Sequence, residues 1–319
     1  MFGPAAGRRI AQAFGLGEQP HLEGPVAHGR RGAVWQLTTA AGRYAVKVTF
    51  EPVAPEDIER DAAFQDRVRA AGVPMPAVVR TPAGQVNALV EGHPVRVYEW
   101  VDVLDADRAL DPVAVGALLA RIHQVELPAT GAVRDWFCRP VGPDAWTGIV
   151  ESLKAADAPF VDRVTALVPQ FLSLERSFED PTELRVCHCD LWSDNLRATP
   201  DGGLVLLDWE NCGPESPSHE LGLVVFEFGL GNPDRMLALY AAYLRAGGPG
   251  RISRPGDLTM VGSACEHLAE DGCRRWLAAA DPVEREASES LVEWLLDDPV
   301  TPATVVDILG AVAGLAAAG

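Results

Sequence analysis

Two carboxylates and a carboxamide stand out by type and spacing. The run Val186-Cys187-His188-Cys189-Asp190-Leu191-Trp192-Ser193-Asp194-Asn195-Leu196 holds an Asp and, five residues on, an Asn. A second Asp, Asp208, closes the apolar run Leu204-Val205-Leu206-Leu207 thirteen residues after that Asn, and Trp209-Glu210 follow it. Phosphoryl transfer from ATP needs such a set: an Asp near the acceptor hydroxyl, and hard oxygen ligands for a Mg²⁺ that bridges the phosphates. Mg²⁺ takes one or two carboxylates and fills the rest of its shell from phosphate and water, so Asn195 and Asp208 suffice as its protein ligands. Asp and Asn also favour loops for their own sake. The distance to the Asp208-Trp209-Glu210 segment and a lysine-bearing strand upstream weigh against that plainer reading.

The upstream strand is Tyr44-Ala45-Val46-Lys47-Val48-Thr49-Phe50. Tyr44, Val46, Val48 and Phe50 share one face, and Lys47 points to the other. The chain uses 25 Arg and two Lys, Lys47 and Lys154, so a lysine kept at 47 suggests that a compact ammonium is wanted there. Ala33–Thr38 reads as a strand paired to it through the turn Ala40-Ala41-Gly42. Pro55 and Glu56 open a helix to about Ala71, stopped at Gly72-Val73-Pro74, on which Asp61, Phe64 and Val68 share a side. Ala77–Thr81 and Val95–Val101 are two more short strands around a Pro/Gly loop. After a polar stretch from Asp102 to Pro112 the spacing predicts helices over about 113–126, 143–156, 160–176, 217–230, 233–246, 256–280, 282–297 and 303–316. One β insert interrupts them, at 185–188, 196–198 and 204–207.

With these motifs the sequence resembles the aminoglycoside phosphotransferase/choline kinase family, small-molecule kinases with a protein-kinase-like fold. The resemblance runs from about Gly24 to the C-terminal helices and rests most on His188–Asn195 and Asp208-Trp209-Glu210. It implies an α+β fold of two lobes, a β-rich nucleotide-binding lobe over residues 1–100 and a mainly helical lobe over 101–319. It implies that Asp190 is the catalytic Asp, that Asn195 and Asp208 hold Mg²⁺, and that His188 braces the catalytic loop. Lys47 fits the lysine that contacts the α- and β-phosphates of ATP. Its acidic partner should lie on the next helix, at Asp61, with Glu59 as the alternative; the family usually has Glu there. The phosphate loop is Ala27-His28-Gly29-Arg30-Arg31-Gly32-Ala33-Val34, which keeps Gly29 and Gly32 but lacks the first glycine of the protein-kinase pattern. Arg30 or Arg31 could touch phosphates or be simply solvated. Tyr98-Glu99-Trp100-Val101-Asp102 fits the hinge, where the Glu99 carbonyl and the Val101 N–H would bind adenine. Glu220 stands where the family has an Asp bracing the catalytic loop, and His123 reads as a packed core histidine.

Composition narrows the function. Acidic residues number 45 against 27 basic, a formal charge of −18, which disfavours binding to nucleic acid by phosphate neutralisation. The charge is uneven: residues 1–100 carry a net +1 and residues 101–319 a net −19. A cleft lined with acids concentrates cations, so the small hydroxylated acceptor is expected to be cationic, an aminoglycoside or another amine-bearing antibiotic, with Glu266, Glu270 and Asp271 as candidate contacts. The alternatives are a metabolic kinase of the same fold acting on choline, homoserine or a sugar, and a nucleotide-binding pseudokinase without turnover. The six cysteines show no metal-ligand spacing, Met1–Gly17 lacks the apolar core of a signal peptide, and no apolar run of 18 residues could span a membrane. The expected setting is the cytoplasm, with reduced thiols.

Overall fold

The computed structural model describes residues 2–3, 5–29, 32–50 and 53–316 of the chain. A short helix, α1 (Ala6–Phe14), leads into three antiparallel strands, β1 (His21–His28), β2 (Gly32–Thr39) and β3 (Gly42–Thr49). After α2 (Pro55–Ala70) come β4 (Val78–Val79), β5 (Asn87–Val90) and β6 (His93–Glu99). The sheet runs β1-β2-β3-β6-β4, with β5 also on β6. Strand alternation sorts its faces: Leu37, Val46, Val48, Val95 and Val97 join Ile10 and Phe14 of α1 in one apolar cluster, and Lys47 is on the other side.

Helices α3 (Pro112–His123), α4 (Asp135–Cys138), α5 (Pro143–Ala155) and α6 (Val161–Leu174) follow. Four short strands come next, β7 (Arg185–Cys187), β8 (Leu196–Ala198), β9 (Leu204–Leu206) and β10 (Gly213–Glu215). β8 pairs with β9, and β7 with β10, as two separate ladders. The remaining helices are α7 (Pro217–Gly229), α8 (Pro233–Arg245), α9 (Thr259–Ala278), α10 (Pro282–Asp297) and α11 (Pro302–Ala316).

An Asx-Pro step starts three of these helices. The side chains of Asp111, Asn232 and Asp281 each accept two backbone N–H groups at the first turn of α3, α8 and α10, and the following proline supplies a preset φ where no N–H is needed. α7 is buried along nearly its whole length, with His219, Glu220 and Glu227 buried among its apolar residues. Gly116 lets α3 and α8 touch: a Cβ there would lie 2.2 Å from the Leu239 carbonyl oxygen.

The chain divides into two compact units. The first is Met1–Asp107 with Ser193–Cys212, and the second is Arg108–Trp192 with Gly213–Gly319. The β8–β9 hairpin, expected at the centre of the helical part, thus belongs with the sheet. Backbone bonds hold it there, from Leu206 N–H to Pro74 O (2.9 Å) and from Leu104 N–H to Ala198 O (2.8 Å). The Phe64 and Trp209 rings meet edge to face at 5.8 Å. β5, α4 and β10 lie where no element was expected. Gly213-Pro214-Glu215 has little strand propensity and is extended because it pairs with Cys187-Val186-Arg185. Among the described residues no single helix is long and apolar enough to cross a membrane.

Candidate active site

In the first unit, β3 presents Lys47 to the turn that follows β9. The Lys47 ammonium lies 2.8 Å from Asp208 Oδ1 and 3.0 Å from Glu210 Oε2. These residues are 161 positions or more apart in the chain, so the fold alone brings them together. Burial alone would lower the lysine's pKa; the two carboxylates more than offset it and raise it. Lys47 is therefore a fixed cation. Asp208 leaves β9 in the left-handed region (φ 54°), a conformation that costs a non-glycine residue of order 1 kcal/mol and collects at functional sites. Asn195 precedes β8 and Asp208 follows β9, and the Leu207 N–H donates to the Asn195 carbonyl at 2.8 Å. The two residues thus flank the open end of one hairpin. An amide and carboxylates are the hard oxygen donors that Mg²⁺ takes, so this donor set fits that ion. The Glu210 Oε1 atom is buried with no hydrogen-bond partner, a spare acceptor in the same place.

Asp61, the helix acid expected to partner Lys47, contacts two other groups. It is buried on α2, with its Oδ1 at 3.5 Å from both Cys212 Sγ and Arg60 Nη2. The alternative, Glu59, pairs with Arg80 at 3.2 Å. The pairing shown for Lys47 is with Asp208 and Glu210, because the turn after β9 reaches the ammonium. Gly32 starts β2 where a Cβ would lie 2.4 Å from the Val48 carbonyl oxygen, so only glycine fits. The Gly29 N–H donates to Gly32 O at 2.9 Å and closes the loop base. Arg30 and Arg31 lie outside the described residues. At the expected hinge, the Glu99 N–H goes to Ala77 O and the Trp100 N–H to Arg43 O. Arg43 in turn clasps Asp102 through two bonds. Among the described residues no group accepts from the Val101 N–H.

Asp190 belongs to the second unit, on the loop after β7. Its N–H donates to His188 Nδ1 at 3.3 Å. Cys189, in the left-handed region (φ 63°), sends its N–H to Glu220 Oε1 on α7. A chain of bonds continues inward. His123 Nε2 lies 2.7 Å from Glu220 Oε2, and His123 Nδ1 lies 2.8 Å from the Tyr243 hydroxyl, which accepts the Gly250 N–H at 2.8 Å. Donors and acceptors match throughout if Nε2 carries the His123 proton and the Tyr243 hydroxyl donates to Nδ1. Burial alone would raise the Glu220 pKa, but the bonds from His123 and Cys189 and the nearby His188 outweigh it, and the group sits below the usual range. The His123, Cys187 and Glu220 donor atoms lie within 4.8 Å of one another. Burial pushes the Cys187 thiol well up, and the His and Glu atoms are already bonded, so the cluster is a brace and not a metal site.

The model of the phosphotransferase enzyme family matches residues 24–255. The chain belongs to that family. No curated protein matches the phosphotransferase in sequence. Among solved structures it is similar to a spectinomycin phosphotransferase, with 12% identity and a TM-score of 0.67 over 98% of each chain. An aminoglycoside phosphotransferase from Alicyclobacillus acidocaldarius gives 16% and 0.66, over 99% of this chain and 97% of that one. A microcompartment-associated aminopropanol kinase gives 15% and 0.58, over 95% and 99%. The fold is protein-kinase-like, as the motifs implied.

Two parts of this site escaped the sequence. Glu210 was in plain sight beside Asp208, but nothing in its spacing showed that it reaches Lys47. Arg96 on β6 is 3% exposed and lies directly opposite Lys47 in the β3–β6 ladder. That needs the strand register, which the residue types do not carry. The candidate acceptor contacts change as well: Glu266 is wholly buried, and burial together with Glu175 pushes its carboxyl up to about 10, so it is neutral at pH 7.

Proposed function

We propose that the phosphotransferase is ATP- and Mg²⁺-dependent and phosphorylates a hydroxyl of a small, amine-bearing molecule. The observation that carries the reading is the Lys47–Asp208 contact, because it joins the two motifs whose chemistry is phosphate binding and metal binding. In this reading Lys47 binds the α- and β-phosphates, the Gly29–Gly32 loop covers them, and the Glu99 carbonyl and Val101 N–H take adenine. Asn195 and Asp208 would hold Mg²⁺, which when bound neutralises phosphate charge. The acceptor oxygen forms a bond to the γ-phosphorus as the bond to the bridging oxygen breaks. ADP leaves with that electron pair, and the hydroxyl proton passes to the Asp190 carboxylate. Six free thiols fit a cytoplasmic enzyme.

The amine rests on charge. With the observed boundaries the second unit holds 28 acids against 15 bases, net −13, and the first 17 against 12, net −5. Anionic surroundings raise the local concentration of a cation. Aminoglycosides are amines, and the aminopropanol kinase has an amino alcohol in its name, so an antibiotic and a metabolic acceptor share this chemistry. The test is an ATP-consumption screen across aminoglycosides, macrolides, amino alcohols and sugars, with mass detection of the phosphate adduct. An adduct on an amine-bearing acceptor is expected. Its kcat/KM should fall as salt rises from about 0.02 to about 0.5 M, where the Debye length shrinks from about 20 Å to about 4 Å. ATP consumption with none of the compounds would overturn the activity. A neutral acceptor whose rate ignores salt would overturn the amine.

A further inference from the structure

The ladder between β3 and β6 puts two cations side by side. Lys47 and Arg96 are direct cross-strand partners, so both side chains leave the sheet on one face. Like charges so placed destabilise a sheet unless an anion lies between them. Glu210 is that anion: its Oε2 is 3.0 Å from Lys47 Nζ, and its Oε1 is 3.9 Å from Arg96 Nη1. Its side chain is 9% exposed and that of Arg96 4%, whereas Asp208 is 38% exposed. The shielded contact is thus the Lys47–Glu210–Arg96 bridge, and attraction there is screened least. Glu210 Oε1 and Arg96 Nη2 are both buried without a hydrogen-bond partner. Closing the gap between the two groups by about 1 Å would bring them within hydrogen-bond range.

A phosphate-binding lysine has a long, flexible stem and needs an acid to fix it. Asp61 contacts Cys212 and Arg60 and its charge also acts on Arg96, and Asp208 is the group assigned above to Mg²⁺. We infer that Glu210, fixed from its far side by Arg96, is the acid that orients Lys47 in this chain, in place of an acid on α2. The inference rests on the kinase reading for the purpose of the lysine, but not for the pair itself. Arg96 is a positioning residue: it acts on Lys47 through Glu210.

Two measurements test it. The first is calorimetric titration of Mg–AMP-PNP into the folded full chain and its variants. Glu210→Gln should weaken binding by about tenfold or more, and Arg96→Met by at least about threefold, partly recovered in Arg96→Lys. The Arg96→Met/Glu210→Gln double variant should be no weaker than Glu210→Gln, because the two act as one unit. Asp61→Asn should stay within about twofold. The second needs no nucleotide. Protein labelled with ¹⁵N-lysine has two side-chain ammonium groups, assigned with Lys154→Arg. The Lys47 ammonium signal should shift or broaden in Glu210→Gln and stay in place in Asp61→Asn. The inference is overturned if Asp61→Asn moves that signal and costs as much affinity as Lys47→Met while Glu210→Gln does neither. If the wild-type chain does not bind Mg–AMP-PNP, the kinase reading fails, and the lysine signal still decides the pair.

Discussion

The Lys47 cluster and the Glu220 brace handle buried charge in opposite ways. Around Glu220 every named donor meets an acceptor: Gly250 N–H, Tyr243 hydroxyl, His123 Nε2–H and Cys189 N–H form a closed chain. Around Lys47 the charges of Asp208, Glu210 and Arg96 are crowded, and Glu210 Oε1 and Arg96 Nη2 keep unused bonding capacity. A saturated network has one arrangement, which suits an anchor for a loop. A network with spare donors and acceptors can take a phosphate or an ion. The difference separates an anchor with a single arrangement from a charged cluster whose members can still rearrange around Lys47.

The largest effects should fall on the residues next to the chemistry. Asp190→Asn keeps the shape and removes the carboxylate proposed to accept the proton, so kcat should fall by about 10³-fold while Mg–AMP-PNP affinity stays within about twofold. Asp208→Asn should abolish turnover too, but with weakened Mg–nucleotide binding and an unchanged melting profile. Equal nucleotide binding in both variants would erase the division between the two regions. Steady-state kinetics with the acceptor from the screen, beside calorimetry, reads both.

Next comes the brace. Glu220→Ala strips the partner from His123 and from the Cys189 N–H, and should cost about 3 kcal/mol in urea unfolding with nucleotide affinity kept in the folded fraction. Tyr243→Phe removes one hydroxyl that serves two partners and should cost about 1–2 kcal/mol. A Glu220→Ala variant of unchanged stability would show that the chain of bonds is not an anchor.

How much of this was legible follows from how local each feature is. Asp190, Asn195 and Asp208 could be singled out because each belongs to a short local pattern, and α3, α8 and α10 because Asx-Pro marks their starts. The contacts of Lys47 with Asp208 and Glu210 could not be read in the sequence because they depend on which turn reaches β3, a long-range fact. Glu266 reads in the sequence as a candidate acceptor contact. It is buried because α9 packs against α5, α6 and α10, which its own sequence does not reveal.

The last expected effect is a pH profile and concerns Glu266. Its folded-state pKa is raised, so folding at neutral pH takes up a proton that the unfolded carboxyl lacks. Stability from this group is full below the unfolded pKa and falls as pH rises towards about 10. Glu266→Gln cannot ionise, so its melting temperature should gain on wild type by about 2 °C per pH unit between about pH 5 and about pH 9. A constant offset across that range would mean that Glu266 does not titrate as described.

The central claim is that the Lys47 cluster binds nucleotide, and Mg–AMP-PNP titration of wild type, Lys47→Met and Asp190→Asn tests it most directly. Saturable binding by wild type, unchanged within about twofold in Asp190→Asn and weakened by about tenfold or more in Lys47→Met, is the predicted result. Binding of equal strength in wild type and Lys47→Met, or none in wild type, would contradict it.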